Sequence, residues 1–166
     1  MSFPDSGVDV YIEGSAAVYV AIYSRNPGVG LTGDTGIYFD VYLPDTLGLV
    51  SLEIRKYYSD EDVWDLNLRE LTLKMYWWNG TAWVRCSDTG VNTDENYIWA
   101  RISETTTPSL MDLTGTPFGA AARPMPVGGT IVPAGAPTTS TPFSALAVLL
   151  IVAVSMVIII TKKRRR

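Results

Sequence analysis

The sequence predicts a mainly β fold that is followed by one C-terminal transmembrane helix. Short runs of β-branched and aromatic residues recur between turn residues over the first part of the chain, which is typical of an antiparallel β-sandwich. An uncharged apolar run of 19 residues then precedes a basic C-terminus, as in a membrane anchor. We therefore expect an immunoglobulin-like sandwich in residues 1–118, a stalk in 119–142, a membrane helix in 143–161 and a basic tail in 162–166.

Three strands are predicted in the first half of the domain, at 16–24, 36–43 and 49–58. The glycine-rich stretch 26–36 lacks the Gly-Lys-Ser/Thr ending of a phosphate-binding loop, and we interpret it as a long turn. In the second strand apolar and polar side chains alternate, so that one face is buried and the other exposed. The buried face is Ile37, Phe39, Val41 and Leu43, and the exposed face is Tyr38, Asp40 and Tyr42.

The segment 59–71 is predicted to form a short helical turn that covers the sheet. Ser59 or Asp60 can cap this turn, and acidic residues occupy its first positions. Its acids do not have the spacing of an EF-hand calcium loop, so capping is the preferred interpretation. The residues expected to pack on the sheet are Val63, Trp64 and either Leu66 or Leu68.

The sequence MYWWNGTAWVRC predicts a β-hairpin with one aromatic face, and a further strand is predicted at 96–103. Asn79 and Gly80 form a strong turn signal because both residue types tolerate positive φ. A two-residue loop pairs Tyr76 with Trp83, whereas a four-residue loop pairs Trp78 with Trp83. In both registers the core face carries Leu73, Met75, Trp77, Ala82, Val84 and Cys86, and the more exposed face carries Tyr76, Trp78 and Trp83.

The aromatic face has two interpretations. Cross-strand aromatic pairs stabilise a hairpin by roughly 0.2–1 kcal/mol, which is a purely structural role. Alternatively, Tyr76, Trp78 and Trp83 are a contact surface for carbohydrate or protein. Coplanar, solvent-open rings would favour binding, whereas rings covered by residues 59–68 would argue against it. Asn79 also begins an Asn-Gly-Thr sequon, so it is a candidate glycosylation site whose glycan would crowd this face.

Composition argues against several classes of function. The chain has no histidine and a single cysteine, Cys86, so it cannot form an intrachain disulfide, and a zinc centre of the Cys/His kind is close to excluded. We expect no metal, no cofactor and no catalytic residue, since the commonest general base is also missing. A glycosidase would need two facing carboxylates. Nothing in the sequence pairs the available ones, Asp60, Glu61, Asp62, Asp94 and Glu95.

The C-terminal segment carries the clearest signal. Phe143–Thr161 is long enough to cross a bilayer as a helix, which needs about 20 apolar residues. A buried core helix is the alternative. By the positive-inside rule the basic tail stays in the cytoplasm. It consists of Lys162, Lys163, Arg164, Arg165 and Arg166.

The part of the chain before the tail is acidic and ends in a proline-rich stretch. Residues 1–161 contain 8 basic and 17 acidic residues, a net charge of −9, which argues against nucleic acid as a partner. Residues 119–142 are rich in Ala, Gly, Pro and Thr and are expected to form an extended stalk. The first residues lack the pattern of a secretory signal peptide. Either the C-terminal helix directs insertion or the chain is the end of a longer surface protein.

Residues 73–102 and 113–120 resemble a sandwich module that is repeated at the C-terminal ends of large archaeal surface proteins, notably those of methanogens. The matching pieces are the hairpin Tyr76–Trp83, the connection Asp88–Thr93, the strand Tyr97–Ala100 and the turn Gly115–Phe118. The resemblance implies an envelope location and a non-enzymatic module.

The end of the chain is similar to archaeal sorting anchors, which carry a Pro-Gly-Phe tripeptide. Here Pro142 is followed directly by Phe143, so a retained membrane helix is expected. The expected protein is thus a single-pass cell-surface protein with its domain outside and a structural, adhesive or tethering role, within an S-layer for example. Its expected partners are the lipid bilayer and a surface protein or polysaccharide. The alternative is a carbohydrate-binding module that uses the aromatic hairpin face.

Overall fold

In a computed structural model, ten β-strands form two antiparallel five-stranded sheets. The structure describes residues 1–126, so the predicted membrane helix 143–161, the basic tail and most of the predicted stalk lie outside it. The strands are β1 (Ser2–Phe3), β2 (Val8–Gly14), β3 (Tyr19–Tyr23), β4 (Asp34–Tyr42), β5 (Leu49–Tyr57), β6 (Lys74–Trp78), β7 (Trp83–Arg85), β8 (Thr89–Asn92), β9 (Tyr97–Ser103) and β10 (Thr114–Ala121). One short helix, α1 (Glu61–Trp64), and three 3-10 turns (Pro4–Ser6, Glu70–Thr72, Leu110–Asp112) connect them.

The strand order in sheet 1 is β1-β2-β5-β9-β8, and in sheet 2 it is β3-β4-β10-β6-β7. All of the strand pairs are antiparallel. This arrangement confirms the mainly β class and is consistent with a β-sandwich. Among residues 1–126 no helix is long and apolar enough to span a membrane.

One apolar core lies between the inner faces of the two sheets. The buried face predicted for β4 is confirmed, because Ile37, Phe39, Val41 and Leu43 are all buried. On the other face the prediction that Tyr38 is exposed is wrong, because Tyr38 is buried as well. The rings of Phe39 and Phe118 stack at the centre of sheet 2, with centroids 5.6 Å apart and planes at 16°. The largest fully buried side chains come from both sheets: Phe39, Phe118, Leu52, Ile54, Leu73, Met75, Ile98, Ile102, Leu113, Val8, Val10 and Val41.

The outer face of sheet 1 carries a ladder of charged and aromatic side chains. The Arg55 guanidinium lies 4.3 Å from the ring centroid of Tyr11 and 4.8 Å from that of Tyr97. The Glu53 carboxylate accepts hydrogen bonds from Arg55 and Arg101, each at 2.7 Å. Cation–π contacts and a shared carboxylate therefore tie together β2, β5 and β9 on the solvent side.

Two features of the first half differ from the prediction. The strand expected at 16–24 is confined to Tyr19–Tyr23, and β1 and β2 were not predicted. In segment 59–71 the α-helix is limited to the four residues of α1. After α1, Asn67 adopts a positive φ of 53°, and the chain changes direction there. Val63 and Leu68 are buried as expected. Trp64 and Leu66 are exposed, so the prediction that Trp64 covers the sheet is wrong.

The last strand runs past the predicted domain boundary at 118 and continues to Ala121. Beyond it, the Ala122 amide donates to the Gly33 carbonyl at 2.9 Å, and Pro124 forms an isolated β-bridge with Leu68. Gly33 has a φ of 73°, and a Cβ there would lie 1.9 Å from the Ala122 carbonyl oxygen. The backbone contact between these two segments therefore requires glycine.

The sandwich has two ends, which differ in the loops that they carry. The C-terminal residue of β10, Ala121, pairs with Lys74 at the start of β6 and with Asp34 at the start of β4. We call this the exit end, because the described chain leaves the domain here. The loop that joins β6 to β7 lies at the other end, which we call the tip end.

Candidate functional site

The aromatic hairpin has a four-residue loop. Trp78 pairs with Trp83, Trp77 with Val84 and Tyr76 with Arg85, so the register that a two-residue loop would give does not occur. The Asn79 side-chain oxygen accepts hydrogen bonds from the Thr81 amide at 3.0 Å and the Ala82 amide at 2.8 Å. Because one side chain binds these backbone donors, the loop closes without a second residue in the left-handed region.

The predicted division of the hairpin into two faces is largely confirmed. Leu73, Met75 and Cys86 are buried on the core face, and Trp77 packs against the core. Ala82 is exposed in the loop, so its assignment to the core face is wrong. That assignment assumed a strand at position 82, whereas β7 begins only at Trp83.

The rings on the outer face of sheet 2 form a tilted cluster. The Trp83 ring centroid lies 5.6 Å from that of Trp78, with planes at 57°, and 5.6 Å from that of Tyr38, with planes at 38°. Tyr38 comes from β4 and Trp83 from β7, and they meet above Gly119 of β10, which has no side chain to separate them. Tyr38 is only 3% exposed although it points away from the main core.

A loop that was not expected at this site covers part of the cluster. Gly28, in the long turn between β3 and β4, packs against the Trp78 ring so closely that a Cβ there would lie 2.7 Å from Cε3. The Asn26 side-chain oxygen accepts a hydrogen bond from the Gly28 amide at 2.8 Å and shapes this turn. The segment that covers Trp78 is therefore the turn between β3 and β4. Tyr76, Trp78 and Trp83 are all half-buried.

Two carboxylates lie beside the cluster on the same face. The Tyr38 hydroxyl donates a hydrogen bond to Asp34, and the Tyr23 hydroxyl donates one to Asp40 Oδ2 at 3.3 Å. Asp40 Oδ1 is buried and has no hydrogen-bond partner within residues 1–126. Burial raises the pKa of Asp40 above its usual value, and the hydrogen bond from Tyr23 only partly offsets this effect. The alternation in β4 predicted the face of Asp40 but not this partial burial.

Replacing Asp40 with asparagine is expected to stabilise the domain at neutral pH. A carboxyl group whose pKa is higher in the folded state favours folding when it is protonated, and this contribution is lost as the pH rises through the folded-state pKa. The stability gain of Asp40→Asn over the native protein should therefore grow between pH 4 and pH 7 in urea denaturation. A gain that does not change with pH would contradict this account.

Glu53→Gln is the control, because its effect on stability should be opposite to that of Asp40→Asn. Burial alone would raise the pKa of Glu53, but the hydrogen bonds and charges of Arg55 and Arg101 outweigh it and lower the pKa overall. This contribution to stability is present above the unfolded-state pKa and is lost as the pH falls. The loss of stability in Glu53→Gln should therefore shrink as the pH falls from about 5 to about 3.

The sequon lies at the tip end in an open loop. Asn79 is exposed, and the Thr81 hydroxyl donates a hydrogen bond to its side-chain oxygen at 2.9 Å. The Asn79 side-chain nitrogen, Nδ2, has no hydrogen-bond partner within residues 1–126. The nitrogen that a glycan would occupy is therefore not needed to hold the loop.

An open cleft of about 400 Å³ lies beside the sequon. Trp77 and Trp78 form part of its wall, and the start of β10 with the turn that precedes it forms the rest. Asp112, Thr114 and Thr116 contribute polar groups to the lining. The cleft is adjacent to the aromatic cluster, but Tyr76 and Trp83 do not line it.

The carboxylates that were considered for a glycosidase lie in two neighbouring segments at the exit end. The Asn96 side-chain amide donates a hydrogen bond to Asp60 at 3.1 Å, which brings the loop with Asp94 and Glu95 next to α1. Asp60, Glu61, Asp94 and Glu95 are all exposed. Across residues 1–126 no group of three or more acidic or cysteine side chains has the arrangement of a metal site.

Comparisons with the models of known protein families, with curated proteins and with solved structures found no match to this chain.

Proposed function

We propose that this chain is a single-pass cell-surface protein with an immunoglobulin-like sandwich outside the cell and a structural, adhesive or tethering role in an archaeal envelope or S-layer. The observation that carries this proposal is the uncharged run Phe143–Thr161, followed at once by five basic residues and preceded by an acidic domain. A charged residue at the centre of such a helix costs roughly 2.5–3.5 kcal/mol, so a run of this length without charge is typical of a lipid environment.

The arrangement of the sandwich supports a scaffold role for the aromatic hairpin. Trp83 packs against both Tyr38 and Trp78, and the turn that contains Gly28 packs on Trp78, so apolar area of these rings is used within the domain. Packing of this kind links β4, β7 and the long turn across sheet 2 and stabilises its outer face. A module that only has to hold its shape on a cell surface needs this rigidity and no reactive group.

The carbohydrate-binding alternative has less support. Flat sugar rings stack on aromatic rings that are coplanar and open to solvent, whereas Trp78 and Trp83 are inclined at 57° and half-buried. The turn that covers Trp78 would have to move before a sugar could reach it. We therefore keep the structural role as the proposal for Tyr76, Trp78 and Trp83.

The proposal is tested by membrane extraction and protease protection of the full chain with a C-terminal epitope tag. We expect the protein to resist alkaline extraction from membranes, the domain to be cleaved on intact cells, and the tag to be protected. The double variant Leu150→Arg/Val154→Arg should become extractable, because two charges oppose insertion of the helix. The matched variant Leu150→Ala/Val154→Ala should stay in the membrane. A native chain that is extracted like a soluble protein would overturn the proposal.

The same preparation tests the sequon at the tip end. If Asn79 is glycosylated in the native host, the intact mass exceeds the polypeptide mass, and Asn79→Gln removes the excess. A mass that lacks the last two dozen residues would mean that the helix is removed in the mature protein.

A further inference from the structure

An exposed apolar patch lies at the exit end of the sandwich. Trp64, Leu66 and Leu71 are 59%, 49% and 75% exposed. Trp64 lies in α1, Leu66 lies between α1 and the turn at Asn67, and Leu71 lies after that turn, in the 3-10 turn Glu70–Thr72. A groove of about 550 Å³ lies beside Trp64 and Leu71, and Leu68, Met125 and Pro126 also line it. We call Trp64, Leu66, Leu68, Leu71, Met125 and Pro126 together the exit patch.

The described chain ends within this patch. The Met125 amide donates a hydrogen bond to the Asn67 carbonyl at 2.6 Å, and Pro124 bridges to Leu68. Only the 16 residues 127–142 separate Pro126 from the apolar run that begins at Phe143. A fully extended chain spans at most about 3.3–3.6 Å per residue, so these 16 residues are a tether that cannot reach more than roughly 58 Å.

We propose that the exit patch rests on the outer surface of the lipid bilayer, with Trp64 and Leu71 inserted among the lipid headgroups. This inference rests on the proposed function, because it requires the C-terminal anchor to be in the membrane. The indole of Trp64 suits the membrane interface, where an apolar ring and a polar N–H are both accommodated. A short tether also holds the patch near the bilayer at a high effective concentration, so that a weak contact is populated.

Charge around the patch selects the kind of lipid surface. Glu61, Asp62 and Asp65 lie in or next to α1, and only Arg69 and Arg123 are basic in the neighbouring segments. An anionic bilayer would repel this end of the domain, whereas a neutral one would not. The contact is therefore expected to be stronger on phosphatidylcholine vesicles than on vesicles that contain phosphatidylglycerol.

The tryptophan content of the chain makes the contact measurable. All five tryptophans lie in the domain, and none lies in residues 127–166. Trp64 is the exposed one, whereas Trp77, Trp78, Trp83 and Trp99 are half-buried. Quenching of tryptophan fluorescence by brominated lipid therefore reports contact of the domain with the bilayer. Because Trp64 is exposed, most of this quenching should come from Trp64.

The experiment uses the full chain reconstituted into phosphatidylcholine vesicles with and without brominated acyl chains. We expect brominated lipid to quench the native protein, and Trp64→Phe to remove at least half of that quenching. Leu71→Asn should reduce it as well, because it weakens insertion of the patch. The matched control is Leu47→Asn, since Leu47 is 84% exposed in the loop between β4 and β5 at the tip end and should leave the quenching unchanged.

Flotation of the vesicles separates the two proposals. If the chain does not float with the vesicles, the anchor and with it the proposed function fail. If the chain floats but brominated lipid quenches the native protein and Trp64→Phe equally, only the contact of the exit patch is overturned. Shielding of Trp64 from aqueous acrylamide without quenching by lipid would also overturn it, because something other than lipid would then cover the patch.

Discussion

Replacing Phe118 with alanine is expected to lower the free energy of unfolding by about 3–5 kcal/mol. Phe118 is fully buried in the central strand β10 and stacks on Phe39 of β4. Truncation removes buried apolar area and leaves a cavity in the core, beside strands that hydrogen bonds hold in register. The rigid strands cannot close this cavity, so most of its cost remains.

Urea denaturation followed by tryptophan fluorescence measures this effect. Phe118→Leu serves as the control, because it keeps most of the volume and should cost clearly less than the alanine variant. If Phe118→Ala lost less than about 1 kcal/mol, the stacked pair would not be part of a close-packed core.

Replacing Gly119 with valine is expected to lower the free energy of unfolding by about 1–3 kcal/mol. A Cβ at Gly119 would lie 3.0 Å from two carbons of the Tyr38 ring and 3.2 Å from the Trp83 ring. Both rings would have to move to admit a β-branched side chain. The near-ultraviolet circular dichroism of the aromatic cluster should decrease along with the stability.

Gly30→Val is the matched control for this prediction. Gly30 lies in the turn between β3 and β4 without a positive φ, and a Cβ there would meet no atom within 4 Å. We expect a change within about 0.5 kcal/mol and an unaltered aromatic spectrum. Equal losses in the two variants would mean that Gly119 is not required for the contact between Tyr38 and Trp83.

Much of the fold could be predicted from alternation and turn chemistry. The pattern in β4 identified its buried face correctly, because a strand with one face in the core repeats with a period of two. The Asn79-Gly80 pair identified the hairpin, but the two candidate registers could not be separated from local sequence. The backbone amides of Thr81 and Ala82 bind the Asn79 side chain, and this contact stabilises the longer loop.

The features that the sequence did not predict share a physical cause: each depends on backbone conformation or on contacts between segments that are distant in sequence. The exposure of Trp64 depends on where the chain turns after α1, and Asn67 makes that turn in a conformation that its sequence neighbours do not signal. The cover over Trp78 comes from a loop about 50 residues away in sequence, so no local pattern could predict it. The contact of Tyr38 with Trp83 likewise depends on the absence of a side chain at Gly119, on a third strand.

The buried thiol of Cys86 can be used to measure how often the folded domain opens. It is the only thiol in the chain, it is 1% exposed, and burial raises its pKa well above the usual value. A thiol reagent therefore reacts with the folded domain only as often as the strand that ends at Arg85 comes away from the core. The labelling rate of the unmodified protein, divided by that of a short peptide with the same sequence, gives the population of the opened state without any denaturant.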